Sequence, residues 1–128
     1  MAYPKRMTAR LARLTVSVSN LPRALRLYES VLGLKRVYAM GELVMLRTED
    51  PVIDVLLHQR PPHPSDAGVA PSFAVHDVDA VTKAAAAAGA TVVDEPADQP
   101  WGERQSVLRD ADGHVLCLVN ARPTNEPA

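Results

Sequence analysis

Few side chains in this sequence could carry a catalytic centre, and their spacing limits what they can do. The four histidines, His58, His63, His76 and His114, stand far apart. No two share the four-residue interval that sets paired imidazoles on one helix face for a metal. Scattered, solvated histidines are the simpler reading. Cys117 lies in the apolar run Val115-Leu116-Cys117-Leu118, where a thiol packs as a small apolar group more readily than it attacks a substrate. The sequence has no Gly-rich phosphate loop, no Gly-x-Ser-x-Gly elbow and no Cys-x-x-Cys. The acidic pairs Glu49-Asp50 and Asp94-Glu95 fall at turn-like, solvated positions. One segment stands out, Gln99-Pro100-Trp101-Gly102-Glu103-Arg104, because aromatics make up only 4% of the chain. An indole offers a broad face for stacking a flat ligand and an N–H to orient it. The alternative is that Trp101 plugs the end of the fold while Arg104 pairs with a carboxylate.

The elements that must position these residues follow from periodicity. Leu11–Val18 alternates, with Leu14, Val16 and Val18 apolar and Arg13, Thr15 and Ser17 polar, which predicts a strand with one apolar face. Asn20 supplies a cap oxygen and Pro22 fits the first turn of a helix. Its stripe is Leu21, Ala24, Leu25, Tyr28, Val31 and Leu32, and Gly33 ends it. Three strands follow, over Lys35–Met40, Glu42–Thr48 and Val52–His58. After a Pro- and His-containing stretch the order recurs: a strand at Ser72–His76, a cap at Asp77, a helix over Val78–Ala88, a stop at Gly89. Strands at Thr91–Asp94, Arg104–Arg109 and His114–Asn120 complete it, with Asp112-Gly113 as the tight turn before the last.

The recurrence is visible in the residues. Val18-Ser19-Asn20-Leu21 matches Val75-His76-Asp77-Val78, and Leu32-Gly33-Leu34 matches Ala88-Gly89-Ala90. A strand, cap, helix, glycine and three strands in one order twice imply a duplicated βαβββ unit. The expected organisation is one α+β domain over 1–128, with units at 11–58 and 70–120, a linker at 59–69 and a flexible tail at 121–128.

Composition narrows the class. Lys+Arg (14) nearly balances Asp+Glu (15), so no overall field favours nucleic acid or an anionic membrane. The basic stretch Lys5–Arg13 reads as a solvated leader. No apolar stretch approaches the roughly 20 residues that span a bilayer, and the start lacks the apolar core of a secretion signal. A single cysteine forms no intrachain disulfide framework, so a reducing cytoplasm is the expected location.

Two segments carry a family resemblance. Ser19-Asn20-Leu21-Pro22-Arg23-Ala24-Leu25, leading to Tyr28 and Val31-Leu32-Gly33-Leu34, resembles the opening helix of the vicinal oxygen chelate superfamily. That group includes glyoxalase I, extradiol dioxygenases and the fosfomycin- and bleomycin-resistance proteins. Asp110-Ala111-Asp112-Gly113-His114 and the apolar strand after it resemble the superfamily's last turn and strand. The likeness spans about residues 11–120. It implies two βαβββ units curled into a cupped mixed sheet around a cavity. In the enzymes that cavity holds a divalent metal, with ligands from the first and last strands of each unit.

Carried over one by one, those ligand positions fall on Arg13, Asp54, Ala70 and Cys117. A guanidinium and a methyl group cannot ligate a metal, so the resemblance implies no metal, no other cofactor and no assigned catalytic residue. Arg13 and Asp54 would point into the cavity, as a salt bridge or as ligand-orienting groups, with Thr15 and Ser17 on the same polar strip and His58 sharing the face of Asp54. The Trp101 segment resembles the rim of metal-free antibiotic binders in the family.

The expected ligand-binding set is therefore Arg13, Thr15, Ser17, Asp54, His58, Trp101, Arg104 and Cys117. The expected function is metal-free binding of a small molecule, an antibiotic or a metabolite, by a homodimer without nucleic-acid or membrane partners. The open alternatives are a divalent-metal lyase or dioxygenase, a metal-free isomerase using Asp54 or His58 as base, and a subunit whose cavity is vestigial.

Overall fold

In the computed structural model, residues 11–64 and 68–120 are described. The basic leader before Leu11 and the tail after Asn120 lie outside them. The first unit contains β1 (Arg13–Val18), α1 (Leu21–Leu25), β2 (Lys35–Met40), β3 (Leu43–Arg47) and β4 (Asp54–Gln59). The second contains β5 (Ser72–Val75), α2 (Val78–Ala87), β6 (Thr91–Asp98), β7 (Arg104–Arg109) and β8 (Val115–Asn120).

Both helices start by the same device. Asn20 accepts from the Arg23 amide at 2.8 Å and Asp77 from the Ala80 amide at 3.0 Å, so each unit satisfies one otherwise unpaired helix-start donor in the same way. The first helix departs from the continuous α-helix predicted for it. After Leu25 it widens into a π-type turn over Arg26–Val31, in which the Leu32 amide reaches back five residues to the Leu27 carbonyl at 2.9 Å. Leu27 and Tyr28, neighbours in sequence, are both buried there. Gly33, at φ +73°, then turns the chain out of the helix, as its lack of a Cβ permits.

The eight strands form two four-stranded mixed sheets, ordered β1-β4-β3-β2 and β5-β8-β7-β6. In each, the first strand runs parallel to the last and the remaining pairings are antiparallel. Each unit thus contributes its own four-stranded sheet, as the two expected βαβββ units imply, and β1 and β5 are edge strands of separate ladders. The sheets share one core instead. Val18, Leu46, Leu57, Leu108, Leu116 and Leu118 are fully enclosed in a single cluster that spans both units. Burying each such side chain contributes about 1.5–3 kcal/mol. The polar side chains inside are matched: Thr82 and Ser106 share a hydrogen bond of 2.7 Å, and Thr82 also donates to the Val78 carbonyl at 2.6 Å.

Polar contacts fasten the units at one end of their junction. The side chain of Asp112, in the turn before β8, accepts from the Ser19 hydroxyl at 2.6 Å, the Ser19 amide at 3.2 Å and Arg23 Nη2 at 3.3 Å. His114 Nε2 lies 2.6 Å from the Ser17 carbonyl, which can only accept, so Nε2 carries the proton. Beneath them the Tyr28 hydroxyl donates to Asp110 at 2.7 Å. Asp110 also accepts from the amides of Asp112 and His114. Burial first, and then the Asp110 charge, hold the Tyr28 phenol well above its ordinary pKa, so the hydroxyl stays protonated as the donor.

Candidate functional site

Strand register brings five of the eight expected residues together. Arg13 lies opposite Asp54 in the β1–β4 ladder and Ser17 opposite His58. Alternation then sets Arg13, Thr15, Ser17, Asp54 and His58 on one sheet face, while Val16, Val18, Val55 and Leu57 turn into the core. The face is solvated: Arg13 and Thr15 are exposed, and Ser17, Asp54 and His58 are half-buried. Met45 and Leu56, a cross-strand pair, form its apolar floor beside Tyr38.

The electrostatics at one end of this face differ from expectation. Asp54 is bound by Arg47 rather than Arg13. The antiparallel β3 sets Arg47 directly opposite Asp54, and its fork reaches both carboxylate oxygens, Nε to Oδ1 at 2.6 Å and Nη2 to Oδ2 at 3.3 Å. The hydrogen bond from Arg47, ahead of the charges of Arg47 and Arg13, holds the Asp54 carboxyl below its ordinary pKa. With Asp54 taken, the Arg13 guanidinium has no ion pair among the described residues. Arg47 was missed in the sequence; the signal was an arginine seven residues before an aspartate across a turn, which strand pairing converts into a contact. Ser17 is partly occupied, since its hydroxyl accepts from Arg60 Nε at 2.6 Å.

The other three residues lie in the second unit. Cys117 is half-buried on β8, opposite Ser72 and on the side away from Leu116 and Leu118. Trp101 sits in the turn between β6 and β7, where Gly102 takes φ +90°. Its Nε1 donates to Glu103 at 2.9 Å and 65% of the residue is exposed, so it plugs nothing and its ring face is open. Arg104 does not join the group. It points to the helix side, donating twice to Asp79 of α2, at 2.7 and 2.9 Å, and to Asp98 at 3.1 Å. Those bonds hold its guanidinium pKa above the ordinary value and that of Asp79 below it. Its role in this fold is to pin α2 to its sheet.

These residues do not fit a divalent metal. At the carried-over positions Arg13 and Ala70 offer no donor, both oxygens of Asp54 are held by Arg47, and Cys117 belongs to the other sheet. Among the described residues no three His, Cys, Asp or Glu side chains converge. Among the same residues no helix is long and apolar enough to cross a membrane.

With this geometry fixed, comparison with known proteins becomes informative. The family model described as the Glyoxalase/Bleomycin resistance protein/Dioxygenase superfamily matches residues 10–118. Two curated mycobacterial proteins, from Mycobacterium bovis and Mycobacterium tuberculosis, both named "Putative glyoxylase CFP32", are 45% identical over 51 residues. That stretch is 40% of this chain and 20% of each relative, so the match spans one fifth of their length. Among solved structures, a glyoxalase/bleomycin resistance protein/dioxygenase family enzyme from Burkholderia phytofirmans superposes with a TM-score of 0.75 at 19% identity, over 89% of this chain and 100% of that one. A superfamily member from Sphaerobacter thermophilus gives a TM-score of 0.67 at 26% identity, over 91% and 100%.

Proposed function

The chain belongs to the Glyoxalase/Bleomycin resistance protein/Dioxygenase superfamily, and from that premise we propose that it binds a small molecule without a metal. The observation that carries this reading is the occupancy of the metal positions. Arg13 and Ala70 stand at two of them, and Arg47 locks the carboxylate at a third. What a metal would have offered a chelating substrate is replaced by an uncommitted guanidinium at one end of a solvated sheet face. A cation there, hydroxyls along β1 and an apolar floor suit a flat ligand bearing an acidic group. In this reading Arg13 binds the acid, Thr15, Ser17 and His58 meet polar edges, and Trp101 and Cys117 approach from a facing sheet. The ligand is an antibiotic or a metabolite that the protein sequesters.

The facing sheet belongs to a second copy of the chain. All six residues of β2 are exposed, including Val37, Tyr38 and Met40, as are Val93 and Trp101 in the second unit. Covering apolar surface of this extent supports a homodimer in which unit one of one copy faces unit two of the other. A second reading is a metal-dependent lyase or dioxygenase, and the name glyoxylase carried by the mycobacterial relatives favours an enzyme.

Two measurements test the proposal. Elemental analysis of protein purified without chelator or a metal-charged column is expected to find no stoichiometric divalent ion; one ion per chain would overturn it. Titration of the single tryptophan's emission with a panel of flat aromatic acids is expected to find a quenching ligand. Arg13→Gln is expected to weaken that ligand by about tenfold, the loss of one charge-assisted contact.

A further inference from the structure

The junction between the units is fastened at one end and open at the other. At the open end a cavity of about 610 Å³ lies between the first unit and β5. Its walls are Leu14, Leu34, Ile53, Val55, Phe73 and Val75. Leu34 and Val55 belong to the core and Phe73 and Val75 pack against it, so the cavity opens on the core side rather than on the face that carries Arg13 and Asp54.

The duplication explains the opening. Aligning Val18 with Val75, and their ladder partners Gln59 with Asn120, relates each residue of one unit to its counterpart in the other. Asp112 and His114, which grip β1, then correspond to Pro51 and Ile53, both of which line the cavity. Ser19, Arg23 and Tyr28, which complete the grip, correspond to His76, Ala80 and Ala85. Where one junction has a carboxylate, an imidazole and a buried phenol, the other has a proline, an isoleucine and a methyl group. The second junction lacks both the polar fastening and the bulk that would fill it.

We propose that this cavity is a binding site for a neutral, largely apolar small molecule, distinct from the sheet face of the proposed function. Its volume falls in the range of small-molecule pockets, about 300–1,000 Å³. The cleft is open to solvent, so its apolar walls stand against water, and an apolar ligand that covers them removes that cost. The mouth selects against anions: Lys35 is paired with Glu49 and Arg47 with Asp54, and the remaining charge in the lining, that of Asp50, is itself negative. An anion would have to break one of these pairs and would meet Asp50, whereas a neutral apolar ligand needs neither and matches the apolar walls.

The sequence supplies its own reporters. Phe73, in the cavity wall, is the single phenylalanine, and Trp101, in the β6–β7 turn, the single tryptophan. Full-length protein labelled with 4-fluorophenylalanine and 5-fluorotryptophan is titrated with N-phenyl-1-naphthylamine, a neutral apolar fluorophore. The expected result is a saturable shift of the Phe73 fluorine line at one probe per chain, with the Trp101 line unmoved. Ala70→Phe, which projects a ring into the same space, is expected to weaken the probe at least tenfold while the far-ultraviolet dichroism stays that of the wild type. Four results would each overturn the proposal: an unmoved Phe73 line, a moving Trp101 line, unweakened binding to folded Ala70→Phe, or binding that falls as protein concentration rises. The last would assign the cavity to a second copy of the chain.

Discussion

The two ends of the inter-unit junction occupy equivalent positions in the two units and differ in chemistry. At the end where β1 meets the turn before β8, Asp112, His114, Ser19, Arg23, Tyr28 and Asp110 form a connected polar network over the core. At the end where β5 meets the turn before β4, the corresponding turn residues are Pro51 and Ile53 and the space stays open. The shared core and the polar network at the fastened end hold the two units together. The other end is then released from that duty, and a cavity costs the fold less there than anywhere in the packed core.

The largest expected effect breaks the fastened end. Asp110→Ala removes a buried carboxylate that accepts from the Tyr28 hydroxyl and from the amides of Asp112 and His114, and leaves all three donors unmatched. The expected loss is about 3–5 kcal/mol in urea-induced unfolding. A loss below about 1 kcal/mol would mean that the network does not hold the units together.

The next test asks whether the open end is open in solution. Leu57 is fully enclosed, while Ile53 borders the cavity. Leu57→Ala is expected to cost about 3–5 kcal/mol, because it creates a void in close-packed surroundings. Ile53→Ala, which only enlarges an existing space, is expected to cost about 1 kcal/mol. Equal costs would show that the open end is packed like the core.

How far these features were legible in the sequence follows from the range of the interactions. The two βαβββ units could be read because caps, glycine stops and alternation are local: Asn20, Asp77 and Gly33 do what their types dictate. The π-type turn was hidden because the stripe read at α-helical spacing leaves out Leu27, which the wider turn buries beside Tyr28. The extension of β6 to Asp98 was hidden because Pro96 discourages a strand locally, while pairing with β7 sustains it. The grouping of Arg13, Thr15, Ser17, Asp54 and His58 on one face follows from alternation and one ladder register. Which arginine takes Asp54, and that Arg104 turns to α2, depend on which strand or helix lies opposite, and a single sequence does not state that.

The smallest expected effect sharpens the comparison through pH. Asp54, beside the open end, has its carboxyl pKa lowered below 3.8, chiefly by the Arg47 hydrogen bond. Its contribution to stability is therefore present above 3.8 and lost as the pH falls through the lowered folded value. Asp54→Asn is expected to flatten slightly the acid limb of thermal unfolding below that pH, and no more than slightly, because the pair is solvated. A large change would make Asp54 a structural anchor of the open end.

The contrast between the ends is tested most directly by native-state amide hydrogen exchange. The amides of Ser19, Asp112 and His114 donate to buried or linked carboxylates at the fastened end, and that of Ile53 donates to the Thr48 hydroxyl beside the cavity. The account predicts that the His114 and Asp112 amides exchange only through global unfolding. The Ile53 amide should exchange by local opening, about a hundredfold faster after correction for intrinsic rates. Equal protection at the two ends would contradict it.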